Sequence, residues 1–271
     1  MNVIKNSNKN LSNIGIIIFR IISIIIIGIC LSVLYKWHQN NIQNNDIIHE
    51  LSEFVSLEDT NYIEGKIEYE NENSENNIED NNESLKLLVN FDELKHKNSD
   101  TVAWVKVNNT NINFPVVQSV DNDFYLKRNF NKNPNGAGWI FADYRNSFDI
   151  LDKNTIVYGH NRRNGTMFGN LTYLIGNSWN FENENSYFYF STEKASYRAQ
   201  IFSVYMMKAT KLSIPNKFDD NMHFENYIKD LKSLSICSFD VDVSSDDNII
   251  TLCTCDNTSQ NRIVVHAKLI N

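Results

Sequence analysis

The sequence predicts a mostly β domain that closes, or nearly closes, into an eight-stranded barrel behind one amino-terminal membrane helix. Two observations predict the barrel. Eight short runs are rich in β-branched and aromatic residues, and Asn-rich turn signals separate them. No regular alternation of strands and helices indicates a parallel βαβ sheet. The predicted strands are residues 101–107, 112–118, 137–143, 154–160, 186–192, 196–207, 248–255 and 262–270.

Helical patterns interrupt this series of strands. Residues 84–98 have the spacing of an amphipathic helix that opens at Ser84, a favourable N-cap residue. Further along the chain, apolar residues recur at helical spacing at about 122–128, 167–175 and 221–234. These segments predict helices that decorate the barrel rather than a separate helical domain.

Residues 14–34 form a 21-residue apolar stretch that is interrupted by one charge, Arg20. About 20 apolar residues allow a helix to cross a bilayer, and Arg20 lies near the end where its side chain can reach the headgroups. A cleaved signal peptide is the alternative, but no small-x-small cleavage motif follows the stretch. Because Lys5 and Lys9 precede it, the positive-inside rule predicts a cytoplasmic amino terminus, a single pass through the cell membrane and an extracellular body.

The 271 residues carry a net charge of −8, and the acidity is confined to one segment. Residues 41–84 hold 13 acidic residues against one lysine, whereas residues 85–271 hold 20 of each sign. This balance argues against nucleic acid as a partner, because phosphate binding needs a basic surface. Residues 46–58 have helical spacing, while residues 59–84 consist largely of Asn, Asp and Glu and predict a flexible tether rather than a docking tail.

The chain is therefore expected to have four parts. They are a cytoplasmic amino terminus (1–13), a transmembrane anchor (14–34), an acidic extracellular linker (35–84) and a globular domain (85–271).

The chain has four cysteines, Cys30, Cys237, Cys253 and Cys255. Cys30 lies in the membrane stretch, which leaves an odd number outside and at least one unpaired thiol or a pairing between chains. Cys253 and Cys255 are two residues apart in a predicted strand, so they share a face with Cα atoms about 6.5 Å apart, a poor geometry for a disulfide. No second pair of Cys or His residues completes a metal site, so no metal is predicted.

Cys255 has the setting of a nucleophile. It ends a predicted strand at a polar loop, and Arg262 begins the next strand, where a cation lowers a thiol pKa and stabilises an oxyanion. Catalysis by a thiol also needs an imidazole. His160 ends a strand at another polar loop and is favoured over His266, which lies within the last strand. The alternative is that Cys255 is a buried small hydrophobic residue.

Several motifs resemble the sortase family of cysteine transpeptidases. TLCTC (251–255) is similar to the cysteine signature, YGHN with GTMFGNL (158–171) to the histidine region, and NRIVVHAKLI (261–270) to the arginine strand. Two further stretches, FPVVQSVDNDFYL (114–126) and GWIFADYRN (138–146), most resemble class B sortases. The resemblance extends over roughly the whole predicted globular domain.

The resemblance implies an eight-stranded sortase-like barrel with an amino-terminal helix, here 84–98, and a helix before the penultimate strand, here 221–234. It implies that Cys255 attacks the carbonyl of Thr in an NPxTx-like sorting signal, that His160 moves protons to and from the amines, and that Arg262 stabilises the oxyanion. The residues expected to line the groove for the signal are Asn122, Leu126, Tyr158, Ile214 and Cys253.

The implied partners are secreted proteins with a carboxy-terminal sorting signal and an amine of a peptidoglycan peptide, and no cofactor is expected. A pilin-polymerising sortase is a rival within the family, which the lack of a lid-like segment before the barrel disfavours. Two other hypotheses are a catalytically inactive binding module on a sortase barrel and a thiol–disulfide oxidoreductase. The intact His160, Cys255 and Arg262 argue against the first, and the missing CxxC motif argues against the second.

Overall fold

The computed structural model describes residues 2–59, 85–176, 179, 181, 186–255 and 260–270. The chain divides into two compact units, Met1–Asn45 and Asp46–Asn271. The predicted tether lies outside the described residues from residue 60 onward. The boundaries drawn from the sequence at residues 13, 34 and 84 stay predictions, and the second compact unit begins at Asp46, before the predicted start of the globular domain.

A long helix, α1 (Asn2–Ser52), contains the predicted membrane stretch. Its part from Gly15 to Ser52 is long and apolar enough to cross a membrane. Large apolar side chains from Ile16 to Leu34 are exposed along this part. Exposed isoleucine, leucine and phenylalanine side chains on this scale are typical of a surface that faces lipid rather than water.

Two strands, β1 (Val55–Asp59) and β2 (Leu85–Val89), pair antiparallel, with Leu57 opposite Leu87. The helix predicted at 46–58 is therefore wrong in its second half, because α1 ends at Ser52 and the next residues form β1. Pairing with β2 gives the backbone N–H and C=O groups of β1 the hydrogen-bond partners that a helix would otherwise have to provide at this point.

The helix predicted at 84–98 is also shorter than expected. Its first residues form β2, whose Leu87 N–H donates to Ser196 Oγ at 3.2 Å. The helix itself, α2 (Phe91–Lys97), begins after Asn90, whose side chain accepts from the backbone N–H of Glu93. Asn90, and not Ser84, is therefore the N-cap, because the apolar residues before it alternate and suit a strand equally well.

All eight predicted strands are present, and they close into a barrel in the order β10-β8-β7-β3-β4-β5-β6-β9. The third of them is shorter than predicted, because only two residues of 137–143 pair as a strand. The bounds are β3 (Thr101–Val107), β4 (Asn113–Val117), β5 (Phe141–Ala142), β6 (Asn154–His160), β7 (Tyr187–Thr192), β8 (Ser196–Lys208), β9 (Ile249–Cys255) and β10 (Asn261–Ile270).

Most neighbouring strands are antiparallel, but β6 and β9 are parallel, as are β4 and β5. A parallel pair needs a long connection. The connection between β6 and β9 contains β7, β8 and a helix. Because parallel strands point the same way, the carboxyl ends of β6 and β9 meet at one rim of the barrel. This rim carries His160 and Cys255, the last residues of the two strands.

The connecting helix, α3 (Asn221–Leu234), covers one side of the barrel, and its bounds match the predicted 221–234. Asp220 caps it by accepting from the backbone N–H of His223 at 2.7 Å. Phe224, Ile228 and Leu231 face the barrel and form a second apolar cluster with residues of β8 and β9. The helical patterns predicted near 122–128 and 167–175 are single 3₁₀ segments, Phe124–Leu126 and Gly169–Ile175.

His266 of β10 is buried beside this second apolar cluster, and both of its ring nitrogens are hydrogen bonded. Thr251 Oγ1 donates to Asn154 Oδ1 at 2.8 Å, so it accepts from Nδ1 of His266, also at 2.8 Å. Tyr205 O–H lies 3.1 Å from Nε2 and serves as its donor. These contacts select the neutral ring with a proton on Nδ1, and burial lowers the pKa of His266 to about 3.

We expect the stability of the fold to depend on pH through His266. The unfolded chain binds a proton near pH 6.5, whereas folded His266 does so only near pH 3, so the free energy of unfolding falls as the pH drops between these values, by up to about 1.4 kcal/mol per pH unit. His266→Gln should be less stable than the parent at pH 8, by about 1–3 kcal/mol, but should lose stability less steeply below pH 6.5.

Urea unfolding followed by tryptophan fluorescence at several pH values measures these slopes. His96→Gln, which removes an exposed histidine of α2, is the matched control and should retain the slope of the parent. An unchanged slope in His266→Gln would contradict the expected contribution of this residue.

Candidate active site

Two neighbouring strand ends bring His160 and Cys255 together. The parallel register of β6 and β9 pairs His160 with Cys255 and Tyr158 with Cys253. Paired strands lie about 4.8 Å apart, and paired residues project from the same face of a sheet. The imidazole and the thiol therefore leave adjacent backbone positions on one face, at the rim where both strands end.

Arg262 reaches the same rim from the other side of β9. The register of β9 with β10 pairs Cys253 with Val264, and the same antiparallel spacing continued for two residues would set Cys255 opposite Arg262. Ile263 N–H donates to Thr254 Oγ1 at 2.9 Å, which extends the contact between the two strands toward the rim. The predicted nucleophile thus lies between the predicted acid/base on β6 and the predicted cation on β10.

Burial and charge act in opposite directions on Cys255. Burial raises the pKa of the Cys255 thiol to about 11, and the positive charge of Arg262 works against that rise. At neutral pH the resting side chain is therefore mainly a thiol. The pKa of Cys253 is raised further, because it is more deeply buried and lies beside Cys255, so Cys253 stays a neutral thiol.

The imidazole of His160 is held in position by the backbone of a predicted groove residue. Its Nε2 lies 2.8 Å from the carbonyl oxygen of Leu126 and donates to it. Gly138 packs against the ring: a Cβ there would lie 2.7 Å from His160 Cδ2, and its φ of +63° also favours glycine. The backbone carbonyl of Leu126 is therefore placed beside the imidazole, and the role of Leu126 in the groove stays a prediction.

A buried carboxylate, Asp143, binds several groups that the sequence assigns to the groove. Its Oδ2 accepts from Tyr158 O–H and from Asn122 Nδ2, each at 3.1 Å. Arg145 contacts both carboxylate oxygens, with Nε at 2.8 Å and Nη2 at 2.7 Å. Burial alone would raise the pKa of Asp143, but the hydrogen bonds and charge of Arg145 outweigh it and hold that pKa below its ordinary value.

The same arginine extends this network to Ile214. Arg145 Nη2 donates to the carbonyl oxygen of Ile214 at 3.2 Å, and the Ile214 side chain is nearly buried in the layer under α3. Three of the five predicted groove residues are therefore joined through one ion pair, Asp143 with Arg145. Sequence reasoning did not single out this pair, although GWIFADYRN (138–146) contains both members and already marked the stretch as distinctive.

Among the described residues, no group of three or more His, Cys, Asp or Glu is arranged to hold a metal ion. All four cysteines are free thiols. The loop between Cys255 and β10 lies partly outside the described residues, at 256–259. A thiol, an imidazole and a guanidinium that converge at a rim are the groups needed for acyl transfer through a covalent intermediate.

Comparisons with known proteins agree with this chemistry. A family model described as the Sortase domain matches residues 105–270. Sortase B of Listeria monocytogenes is 37% identical over 181 residues, which cover 66% of this chain and 73% of that protein. The residues that the family model matches include the whole candidate active site.

Two solved structures are similar over about two thirds of this chain. A Staphylococcus aureus sortase B–substrate complex superposes with a TM-score of 0.64 at 33% identity, covering 67% of this chain and 84% of that one. Clostridium perfringens sortase B superposes with a TM-score of 0.63 at 42% identity, covering 67% of this chain and all of that one. The chain belongs to the sortase family, class B, and is a cysteine transpeptidase of that class.

Proposed function

We propose that this protein is a membrane-anchored transpeptidase that cleaves an NPxTx-like carboxy-terminal sorting signal of secreted proteins after Thr and joins the shortened protein to an amine of a peptidoglycan peptide. The observation that supports this most is the parallel pairing of His160 with Cys255 at the barrel rim. The similarity to a sortase B that was solved as a substrate complex supports it further.

In the first half of the reaction, the thiol proton of Cys255 passes to His160, and the resulting thiolate attacks the Thr carbonyl carbon of the signal. The carbonyl electrons move to oxygen, and Arg262 stabilises the oxyanion that forms. When the oxyanion collapses, the C–N bond breaks and the imidazolium of His160 donates its proton to the leaving amine. The products are a thioester on Cys255, the released peptide and a neutral His160.

In the second half, the acceptor amine attacks the thioester carbonyl. Neutral His160 takes the proton from the attacking nitrogen, the C–S bond breaks and the electrons return to the Cys255 sulfur. An amide bond replaces the one that was cleaved, so no oxidant, metal or nucleotide is consumed. Water in place of the amine would give hydrolysis.

The groove for the signal is proposed to include Asn122, Leu126, Tyr158, Ile214 and Cys253. The network around Asp143 supports this, because hydrogen bonding through one buried carboxylate restrains side chains from separate parts of the chain. Restrained side chains hold an extended peptide at low entropic cost. Tyr158 stays neutral at neutral pH, because burial raises its pKa, and it therefore acts as a hydrogen-bond donor.

The anchor is proposed to be the apolar part of α1, with the amino terminus in the cytoplasm and the catalytic domain outside the cell. The exposed apolar side chains of this helix support insertion, and Lys5 and Lys9 support the orientation. An extracellular domain near the membrane meets secreted clients and cell-wall precursors where both are concentrated.

We predict that cleavage depends on Cys255 and not on Cys253. Quenched peptides with NPxTx-like or LPxTG-like signals are incubated with the full chain in detergent micelles, and cleavage and acyl-enzyme mass are followed. Cys255→Ala should reduce the rate by at least about 10³-fold, because the nucleophile is lost, and the parent should carry the acyl mass on Cys255.

Cys253→Ala tests the neighbouring thiol: because Cys253 is proposed to line the groove and not to attack, its loss should affect the KM for the signal more than kcat. Loss of activity in Cys253→Ala alone would instead favour dithiol chemistry. Signal binding without cleavage by the parent would favour the binding module.

A second prediction concerns pH. Because the pKa of Cys255 lies near 11, its thiolate fraction should rise about tenfold per pH unit between pH 6 and 9. The rate at which iodoacetamide modifies Cys255, measured by peptide mass spectrometry, should rise in parallel. Arg262→Gln removes the charge that opposes burial and should slow modification at pH 8 by roughly threefold to tenfold.

Lys229→Gln, which removes an exposed positive charge from α3, is the control and should leave the modification rate unchanged. A plateau in the parent below pH 8 would show that the thiol ionises far more easily than its burial implies.

A third prediction addresses the carboxylate network. Asp143→Asn removes the negative charge that pairs with Arg145 and replaces one carboxylate oxygen with an NH₂ group. Tyr158 and Asn122 therefore lose a fixed hydrogen-bond acceptor. The KM for the signal peptide should rise roughly tenfold, with a smaller change in kcat, because binding is disturbed more than chemistry. Asp230→Asn on the exposed side of α3 is the control. A fall in kcat alone would contradict a role in binding.

A further inference from the structure

A polar cavity of about 430 Å³ lies against the loop that follows His160. Neither the groove residues nor the Asp143 network contributes to its lining. Residues of the loop 161–165 and of the following 3₁₀ segment form most of the wall, and the turn between β3 and β4 adds Asn111. A cavity of this size accommodates a short peptide or a ligand of similar volume.

The wall of the cavity is attached directly to both catalytic strands. Asn161, which lines the cavity, donates its backbone N–H to the carbonyl oxygen of Cys255 at 3.0 Å. Phe168 N–H donates to the carbonyl oxygen of His160, also at 3.0 Å. The loop therefore leaves the rim at His160 and returns to it at Phe168, so one wall of the cavity is tied to the backbone of both His160 and Cys255.

Close packing restricts the shape of this loop. A Cβ at Gly169 would lie 2.3 Å from the carbonyl oxygen of Arg162, so only glycine allows this approach. Gly165 has a φ of +75° and turns the loop back. In the amide orientation that satisfies both partners, Asn170 donates to Gly165 O at 3.0 Å and accepts from Asn111 N–H at 3.1 Å. Backbone packing and the hydrogen bonds of the Asn170 amide thus fix the shape of the cavity wall.

The charge of the lining is positive. Arg162 and Arg163 both contribute to it, and none of the described residues that line the cavity is acidic. The remaining lining is rich in asparagine, with Thr172 and Tyr173. Arg162 is partly buried, whereas Arg163 is exposed. Two guanidinium groups that line one cavity favour an anionic ligand.

We propose that this cavity binds a carboxylate of the amine-bearing acceptor, so that the acceptor peptide approaches the thioester with its amine at His160 and its acid group between Arg162 and Arg163. The inference rests on the proposed function. An arginine pair recognises a planar carboxylate through several parallel hydrogen bonds. The acceptor must reach His160, which removes its proton, and the cavity begins one residue beyond that histidine.

The proposal predicts a preference among acceptors. The full chain in detergent micelles is given a saturating signal peptide and either triglycine, which has a free carboxylate, or triglycinamide, which does not. Transpeptidation and hydrolysis products are separated by mass spectrometry. The KM of the parent should be about fivefold to tenfold lower for triglycine. In the double variant Arg162→Gln with Arg163→Gln, the ratio of the two KM values should approach one.

Lys229→Gln is the control for loss of positive charge, and it should retain the preference of the parent. A parent with equal KM values for the two acceptors, or a double variant that retains the preference, would overturn the proposal while leaving the transpeptidase function intact.

A binding measurement separates the two failures. The Nε–H resonances of ¹⁵N-labelled arginine are followed in Cys255→Ala during titration with each tripeptide. Shifts that occur with triglycine, are weaker with triglycinamide and are absent in the variant that also carries both arginine substitutions would support the site even if no cleavage were found. No selective shift at millimolar triglycine would overturn it, whatever the activity.

Discussion

The catalytic arrangement depends on one backbone interaction, the parallel pairing of β6 with β9. The strands are distant along the chain, yet their register sets His160 opposite Cys255 and ends both strands at one rim. A shift of one residue would send one of the two side chains to the opposite face, because the side-chain period of a strand is two. The barrel prevents such a shift, because β9 is also paired with β10 and β6 with β5.

Polar groups on the outer face of the same strands are satisfied by side chains from other elements. Thr251 of β9 joins Asn154 of β6 to His266 of β10, and Tyr158 joins β6 to the carboxylate of Asp143. A buried polar group without a partner destabilises a fold, so these bonds disfavour other registers as well as stabilising this one. The groove and the catalytic rim are therefore restrained by the same strands.

Sequence patterns predicted the elements of the barrel well where the pattern fits only one type of secondary structure. Residues 154–160 and 221–234 have the predicted bounds, because β-branched runs and a capped amphipathic face leave little choice. Residues 84–98 satisfied both helical and alternating patterns, and pairing with β1 decided between them. The network around Asp143 was missed because Asn122 and Tyr158 come from separate segments, and no local pattern reveals such contacts.

The raised pKa of Cys255 is consistent with an enzyme that relies on its transition state more than on a reactive resting thiol. Burial leaves little thiolate before substrate arrives, which also protects the sulfur from oxidation. The same burial lowers the local dielectric constant, so in the proposed reaction Arg262 would interact more strongly with an oxyanion than it would in water. Exclusion of water thus lowers the fraction of thiolate at rest, and it would strengthen the stabilisation of the oxyanion during the proposed acyl transfer. An acyl-transfer enzyme gains from this balance, because a drier site also disfavours hydrolysis of the thioester before the acceptor amine arrives.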